Sequence, residues 1–122
     1  MVTMDLKQCY EQLGGDYNDA LTRMMNEGFV ERFIIKFLDD KTFESMKSAI
    51  ESGNVVELFK GAHTMKGIAG NLGFTKLGET SSALTEHLRG RDSGEIDNQL
   101  VKDFLDAYQQ VADAINAYKA SK

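Results

Sequence analysis

Proline and tryptophan are absent from this 122-residue chain, which holds one cysteine and two histidines. With no proline, no helix interior is interrupted by a residue that cannot donate its backbone hydrogen bond. Valine and isoleucine are sparse beside Leu, Ala, Met, Lys and Glu, a composition that favours helices over sheet. The lone Cys9 excludes an intrachain disulfide and a multi-cysteine metal site; it suits a reducing compartment and reads as a small apolar core residue. Positive charge is also in short supply, with 14 Lys and Arg against 19 Asp and Glu and a net charge of −5. That balance excludes the basic face needed to track nucleic-acid phosphates. No stretch approaches the ~18 apolar residues of a membrane span. The start "MVTMDLKQCYEQ" lacks the basic and apolar regions of a secretory signal, so a cytoplasmic location is expected.

What is present is apolar content arranged at helical spacing. At 42% hydrophobic, the chain is long enough for one domain with a core of its own, expected over residues 1–122. Between Asp5 and Asn26 the pattern predicts a weak first helix, a turn at "GGDYND" and a short helix at "ALTRMMN", with Asp16 or Asn18 as N-cap. "GFVERFIIKFLDD" follows, with Phe29, Val30, Phe33, Ile34, Phe37 and Leu38 read as one helical face. "DDKT" interrupts, and the pattern resumes through Phe43, Met46 and Ile50 to a C-cap at Gly53.

The clearest helix comes next. Asn54 can cap it while Glu57 reaches back in a variant of the capping box, and Val55, Leu58, Ala62, Met65, Ala69 and Leu72 form a seam at spacings of three and four. Gly73 reads as its C-cap. Thr75 is the expected cap of a helix carrying Leu77, Leu84 and Leu88 to a stop at Gly90. After the polar loop "GRDSGE", a last helix from about Ile96 to Ala120 carries Val101, Phe104, Tyr108, Val111, Ile115 and Tyr118. Long amphipathic segments joined by short loops predict an all-α, antiparallel, up-and-down four-helix bundle with its core over about 29–120 and short N-terminal helices covering one end. Tyrosines and methionines at helical spacing read as core.

One stretch departs from good helix-forming sequence. "GAHTMKGIAGNLGF", from Gly61 to Phe74, sets glycines around His63. At ~100° per residue the surface neighbours of His63 are Val56, Phe59, Lys60, Lys66, Gly67 and Gly70, beside the seam rather than on it. Each mid-helix glycine costs about 1 kcal/mol relative to alanine, against a domain stability of ~5–15 kcal/mol. Gly67 and Gly70 together open the ring to a bulky partner, and Lys66 brings a flexible ammonium to whatever the ring carries. Imidazole, with an ordinary pKa of ~6.5, is a competent nitrogen nucleophile toward phosphorus at cellular pH. Lys66 would offset charge on phosphoryl oxygens, whereas Lys60 reads first as a solvated helix lysine.

With those residues in view, the sequence resembles the histidine-containing phosphotransfer (HPt) domains of two-component phosphorelays. The family pattern of alanine-histidine-x-leucine-lysine-glycine and a later asparagine-leucine-glycine turn appears here as "AHTMKGIAGNLG". The likeness runs upstream through "SGNVVELFKGAH" and downstream through "FTKLGETSSALTEHLRGRD", covering about Phe29 to the end. It implies that His63 is the phosphoacceptor, Lys66 the lysine beside the phosphoryl group, and Gly67 the glycine that leaves room for a partner's active site. Met65 replaces the usual leucine, a tolerated apolar exchange, and Ile68 stands where the family often has serine or another small residue, removing any hydrogen bond from there.

The implied partners are receiver domains, which would supply the phosphoaspartate and the Mg²⁺; no cofactor or metal is expected on this chain. No "GxxxxGK[ST]" loop is present, so ATP binding and autonomous kinase activity are not expected of this phosphocarrier. Val56, Phe59 and Lys60 are candidates for the receiver-docking surface, with Phe59 read equally as an anchor or a residue at the core edge. A His63/His87 metal centre lacks the carboxylates such a site needs, and His87 reads as a surface residue. Asn71 is expected to cap or hydrogen-bond at the helix end, and only weakly to touch the partner. Two alternatives share the local pattern: the phosphoacceptor domain of a chemotaxis-type kinase, and a non-phosphorylated module that inhibits a receiver or kinase. A monomer is expected. Met1 and the lack of a linker tail lean toward a freestanding protein.

Overall fold

The computed structural model describes residues 3–122. Met1 and Val2, which open the stretch read for a targeting signal, lie outside the described residues. Seven helices and no strand are found among the described residues: α1 (Leu6–Leu13), α2 (Tyr17–Met24), α3 (Glu27–Phe37), α4 (Thr42–Ser52), α5 (Val55–Leu72), α6 (Thr75–Leu88) and α7 (Asn98–Ala120). The fold is an all-α helical bundle. No helix of the described residues is long and apolar enough to cross a membrane.

Consecutive helices from α4 to α7 pack on one another. The ring of Phe43 stacks on Tyr108 with centroids 3.6 Å apart, joining α4 to α7. Leu58, Met65, Leu77, Leu84, Leu88, Phe104 and Ile115 are fully buried between these helices. Cys9 is buried as expected, its thiol 3.6 Å from the Ala114 carbonyl, and burial pushes its pKa up to about 11.

Two short connections control where α5 begins and ends. At the first, the Asn54 N–H donates to Ala49 O at 2.9 Å, closing α4 in the Schellman pattern, while its side chain accepts from the Glu57 N–H at 3.1 Å to open α5. The reciprocal half of the expected capping box is not made, because the Asn54 N–H is already committed to α4. The Glu57 carboxylate turns instead to Lys60, at 3.4 Å. At the second connection Gly73 takes φ +72°, and a Cβ there would lie 2.7 Å from Asp16 O, so only glycine fits. Phe74, not Thr75, is the N-cap residue of α6 and makes no side-chain cap bond. The turn is tight enough that the linking position falls on a residue the core requires: Phe74 is buried and meets Phe37 edge-on at 5.1 Å. α7 opens at Asn98 with Asp97 as its N-cap, two residues after the expected start near Ile96.

The N-terminal helices gather at the end where α5 hands over to α6. Asp16, the N-cap of α2, donates its N–H to Gly73 O at 2.8 Å, and the Tyr10 hydroxyl donates to Leu72 O at 2.7 Å. They do more than cover that end. Contacts from Gln12 O to the Gln110 amide and from the Met4 N–H to Ser121 Oγ lay α1 along the C-terminal half of α7.

The apolar face read in α3 divides. Val30, Ile34 and Phe37 are buried, whereas Phe29 and Phe33 are 42% and 44% exposed. The six apolar residues cover an arc of ~180° at 3.6 residues per turn, wider than one packing face can bury, and the edge of that arc stays outside. Met25, expected in the core as a methionine, is 84% exposed and closes α2 at φ +76°.

Candidate functional site

The four glycines from Gly61 to Gly73 have three different tasks. A Cβ on Gly61 would come within 2.4 Å of Met46 Cγ, so this residue lets α4 approach α5. Gly73 makes the turn already described. A Cβ on Gly67 or Gly70 would meet nothing within 4 Å. No neighbour inside the fold accounts for the missing side chains at these two positions, and both flank His63.

His63 is exposed on α5. Its ring lies nearly parallel to that of Phe59, one turn earlier, with centroids 6.2 Å apart and planes 14° apart. Phe59 is half-buried and packs against the core, so it is both a core-edge residue and part of the surface beside the histidine. On its own helix Val56 is 40% exposed. Lys60 is exposed and paired with Glu57.

Lys66 is half-buried and takes part in none of the six ion pairs among the described residues. Its ammonium therefore has no competing carboxylate in contact. On α6, Glu86 is held below the usual carboxylate range, chiefly by its hydrogen bonds from Arg89 and with a smaller contribution from Lys66. The Arg89 guanidinium grips Glu86 through two bonds of 2.9 and 3.0 Å, and lies 5.6 Å from the centre of the Phe59 ring. The Glu86/Arg89 pair is local, three residues apart at the end of α6, whereas the meeting of Arg89 with Phe59, thirty positions away, depends on the α5/α6 packing.

Beyond Gly67 the surface continues into a groove of about 610 Å³ between α3 and α5, lined by Met24, Phe33, Phe37, Ile68, Asn71 and Leu72 with Arg23, Lys36 and Asp40 around them. Asn71, expected to serve the helix end, is exposed at this groove, because the carbonyls of that end are taken by Gly73, Phe74 and Tyr10. Ile68 presents an apolar group there. The docking candidates expected from the sequence, Val56, Phe59 and Lys60, lie on the other side of His63; on this side the sequence pointed only to the clearance over Gly67 and Gly70 and, weakly, to Asn71.

His87 is a structural residue rather than a plain surface one. It is half-buried, and its Nε2 accepts from the Asp97 N–H at 3.1 Å with the Arg91 guanidinium 3.0 Å away, tying the α6–α7 loop to α6. It shares no cluster with His63: among the described residues no group of three or more His, Cys, Asp or Glu is placed to hold a metal ion.

An exposed imidazole thus stands one turn from a lysine outside every ion pair among the described residues, beside two glycines with open space over them. Neither a curated protein nor a solved structure matches the chain. A family model does: that of the Hpt domain matches residues 36–117, which takes in α4, α5 and α6 whole and nearly all of α7. The chain belongs to the Hpt domain family, whose members serve histidine phosphotransfer in two-component phosphorelays.

Proposed function

We propose that His63 accepts a phosphoryl group from the phosphoaspartate of a receiver domain and passes it to the aspartate of another receiver. A ring nitrogen attacks phosphorus with its lone pair as the P–O bond to the aspartate breaks. The bonding electrons leave with the carboxylate, and the proton on the other ring nitrogen stays or goes to water. Onward transfer is the same exchange in reverse, with an aspartate oxygen attacking and the imidazole leaving. Lys66 offsets the negative charge on the phosphoryl oxygens. Mg²⁺ and the acidic pocket belong to the receiver; this chain contributes the nucleophile, one ammonium and clearance.

The observation that carries this reading is the open space over Gly67 and Gly70 beside an exposed His63. Two glycines inside a long helix forfeit about 1 kcal/mol each, and no contact within the fold recovers it. Access by a bulky partner does. The docking surface runs from Val56, Phe59 and Lys60 across Gly67 and Gly70 into the groove of Phe33, Ile68 and Asn71.

A two-receiver assay tests the proposal. A phosphorylated receiver is mixed with the protein and removed, and the isolated phosphoprotein is then offered to a second receiver. The expected result is acid-labile, base-stable phosphate on this chain that moves to the second receiver. Phosphate that never leaves the first receiver, across a broad panel of receivers, would refute the carrier role and favour a binding module that inhibits without transfer.

A further inference from the structure

The Phe59 ring beside His63 also neighbours a cation that the proposed transfer does not use, Arg89. Arg89 follows the last residue of α6 as its C-cap, with a non-helical backbone (φ −58°, ψ +128°), so its position is less constrained than that of a mid-helix residue. In the resting protein its guanidinium is held by Glu86, and it shares the Phe59 ring with His63, the guanidinium 5.6 Å and the imidazole 6.2 Å from the ring centre. These two distances put the guanidinium within about 12 Å of the imidazole, a gap narrowed by a phosphoryl group standing out from the ring and by the length of the arginine side chain.

We infer that Arg89 is a second phosphoryl-binding cation, held by Glu86 while His63 is bare and transferred to the phosphoryl group once His63 carries one. Phe59 is the platform along which it moves. This inference rests on His63 being the phosphoacceptor.

Three features support the exchange. The Glu86–Arg89 pair is roughly half exposed on both sides, at 56% and 52%, and exposed pairs of this kind are weak enough to be broken by a better partner. A phosphoryl group offers nearly twice the charge and three acceptor oxygens in a geometry that suits the planar guanidinium fork. Glu86 also lies in the field of Lys66. The Glu86 carboxylate thus feels two cations but binds only Arg89, and loses that hold when a dianion arrives. Lys60 is a weaker candidate: its partner Glu57 sits on the same helix face, and no aromatic ring links it to His63.

The test phosphorylates the isolated protein chemically with phosphoramidate, so that it does not depend on a receiver. The ³¹P signal assigned to His63 is the one missing in His63→Gln. Phosphorylation is expected to move the Arg89 Nε–H resonance. In Arg89→Gln the titration midpoint of the phosphoryl group is expected to rise by roughly 0.2–0.7 pH unit, since a nearby cation favours the dianion. Glu86→Gln frees Arg89 and lowers that midpoint, and the lowering disappears in the double variant. Circular dichroism is expected to be the same for all variants. An unmoved Arg89 resonance together with an unchanged midpoint in Arg89→Gln would overturn the inference. So would a Glu86→Gln effect that persists without Arg89, because Glu86 would then act by its field alone. If phosphoramidate labels His63 but no receiver does, the carrier reading fails while the Arg89 exchange stands on its own result.

Discussion

Alanine at two glycines six residues apart on α5 is expected to change stability in opposite directions. At Gly67 an added Cβ meets nothing within 4 Å, so the substitution gains the helix-propensity difference of about 1 kcal/mol. Unfolding entropy near ~2.1 cal/mol/K per residue gives about 0.26 kcal/mol/K for 122 residues, so the expected rise in Tm is about 4 °C. At Gly61 the same gain is set against a Cβ only 2.4 Å from Met46 Cγ. Met46 is fully buried, and Cγ is too near its backbone to swing clear. Overpacking of this kind costs ~1–3 kcal/mol, leaving a net loss of up to about 2 kcal/mol and a Tm lower by several degrees. Thermal and denaturant unfolding of Gly67→Ala and Gly61→Ala measure both. A loss at Gly67 would show that the glycine serves the fold, removing the main reason for reading the open patch as partner clearance. A full gain at Gly61 would show that α4 and α5 are not as close as described. Gly67→Gln extends the comparison: it is expected to keep the fold while slowing transfer from a receiver by about tenfold, the effect of roughly 1.4 kcal/mol of lost docking.

Other variants probe separate parts of the structure. Lys66→Ala is expected to slow transfer with no more than a small change in Tm, since its ammonium holds no carboxylate; strong destabilisation in calorimetry would make Lys66 structural. Tyr10→Phe removes the donor to the buried Leu72 carbonyl and is expected to cost about 1–3 kcal/mol in chemical denaturation. Tyr118→Phe tests a pH dependence. Hydrogen bonds from Lys122 and Tyr118 hold Glu31 below the usual carboxylate range. The stability from a depressed carboxylate is present above its unfolded pKa and is lost as pH falls through the folded one. Tyr118→Phe is therefore expected to be less stable than the parent at neutral pH, with the gap closing in acid; a constant gap would exclude Glu31 as the cause.

The helix that carries the site was legible in the sequence because its signals are local. Seam residues at three and four, Asn54 at one end and Gly73 at the other appear in the structure as read. Local rules also placed Gly67 and Gly70 beside His63 and left Gly61 off that face, but they gave no reason for Gly61, since only the position of Met46 on another helix shows it to be a packing glycine. Helical periodicity identified α3 but not which part of its broad apolar arc faces inward, so Phe29 and Phe33 read as one face with Val30, Ile34 and Phe37 although they stay partly exposed. Thr75 has the chemistry of a cap and was displaced by the core's need for Phe74. The pairing of Arg89 with Phe59 left no sequence signal because it arises where α5 and α6 meet.

Labelling decides most directly whether one imidazole carries the phosphate. Parent protein and His63→Gln, matched for helical content, are each incubated with the same phosphorylated receiver and assayed for acid-labile, base-stable phosphate. Labelled parent protein and an unlabelled His63→Gln are expected if His63 is the phosphoacceptor. Equal labelling of the two would contradict it.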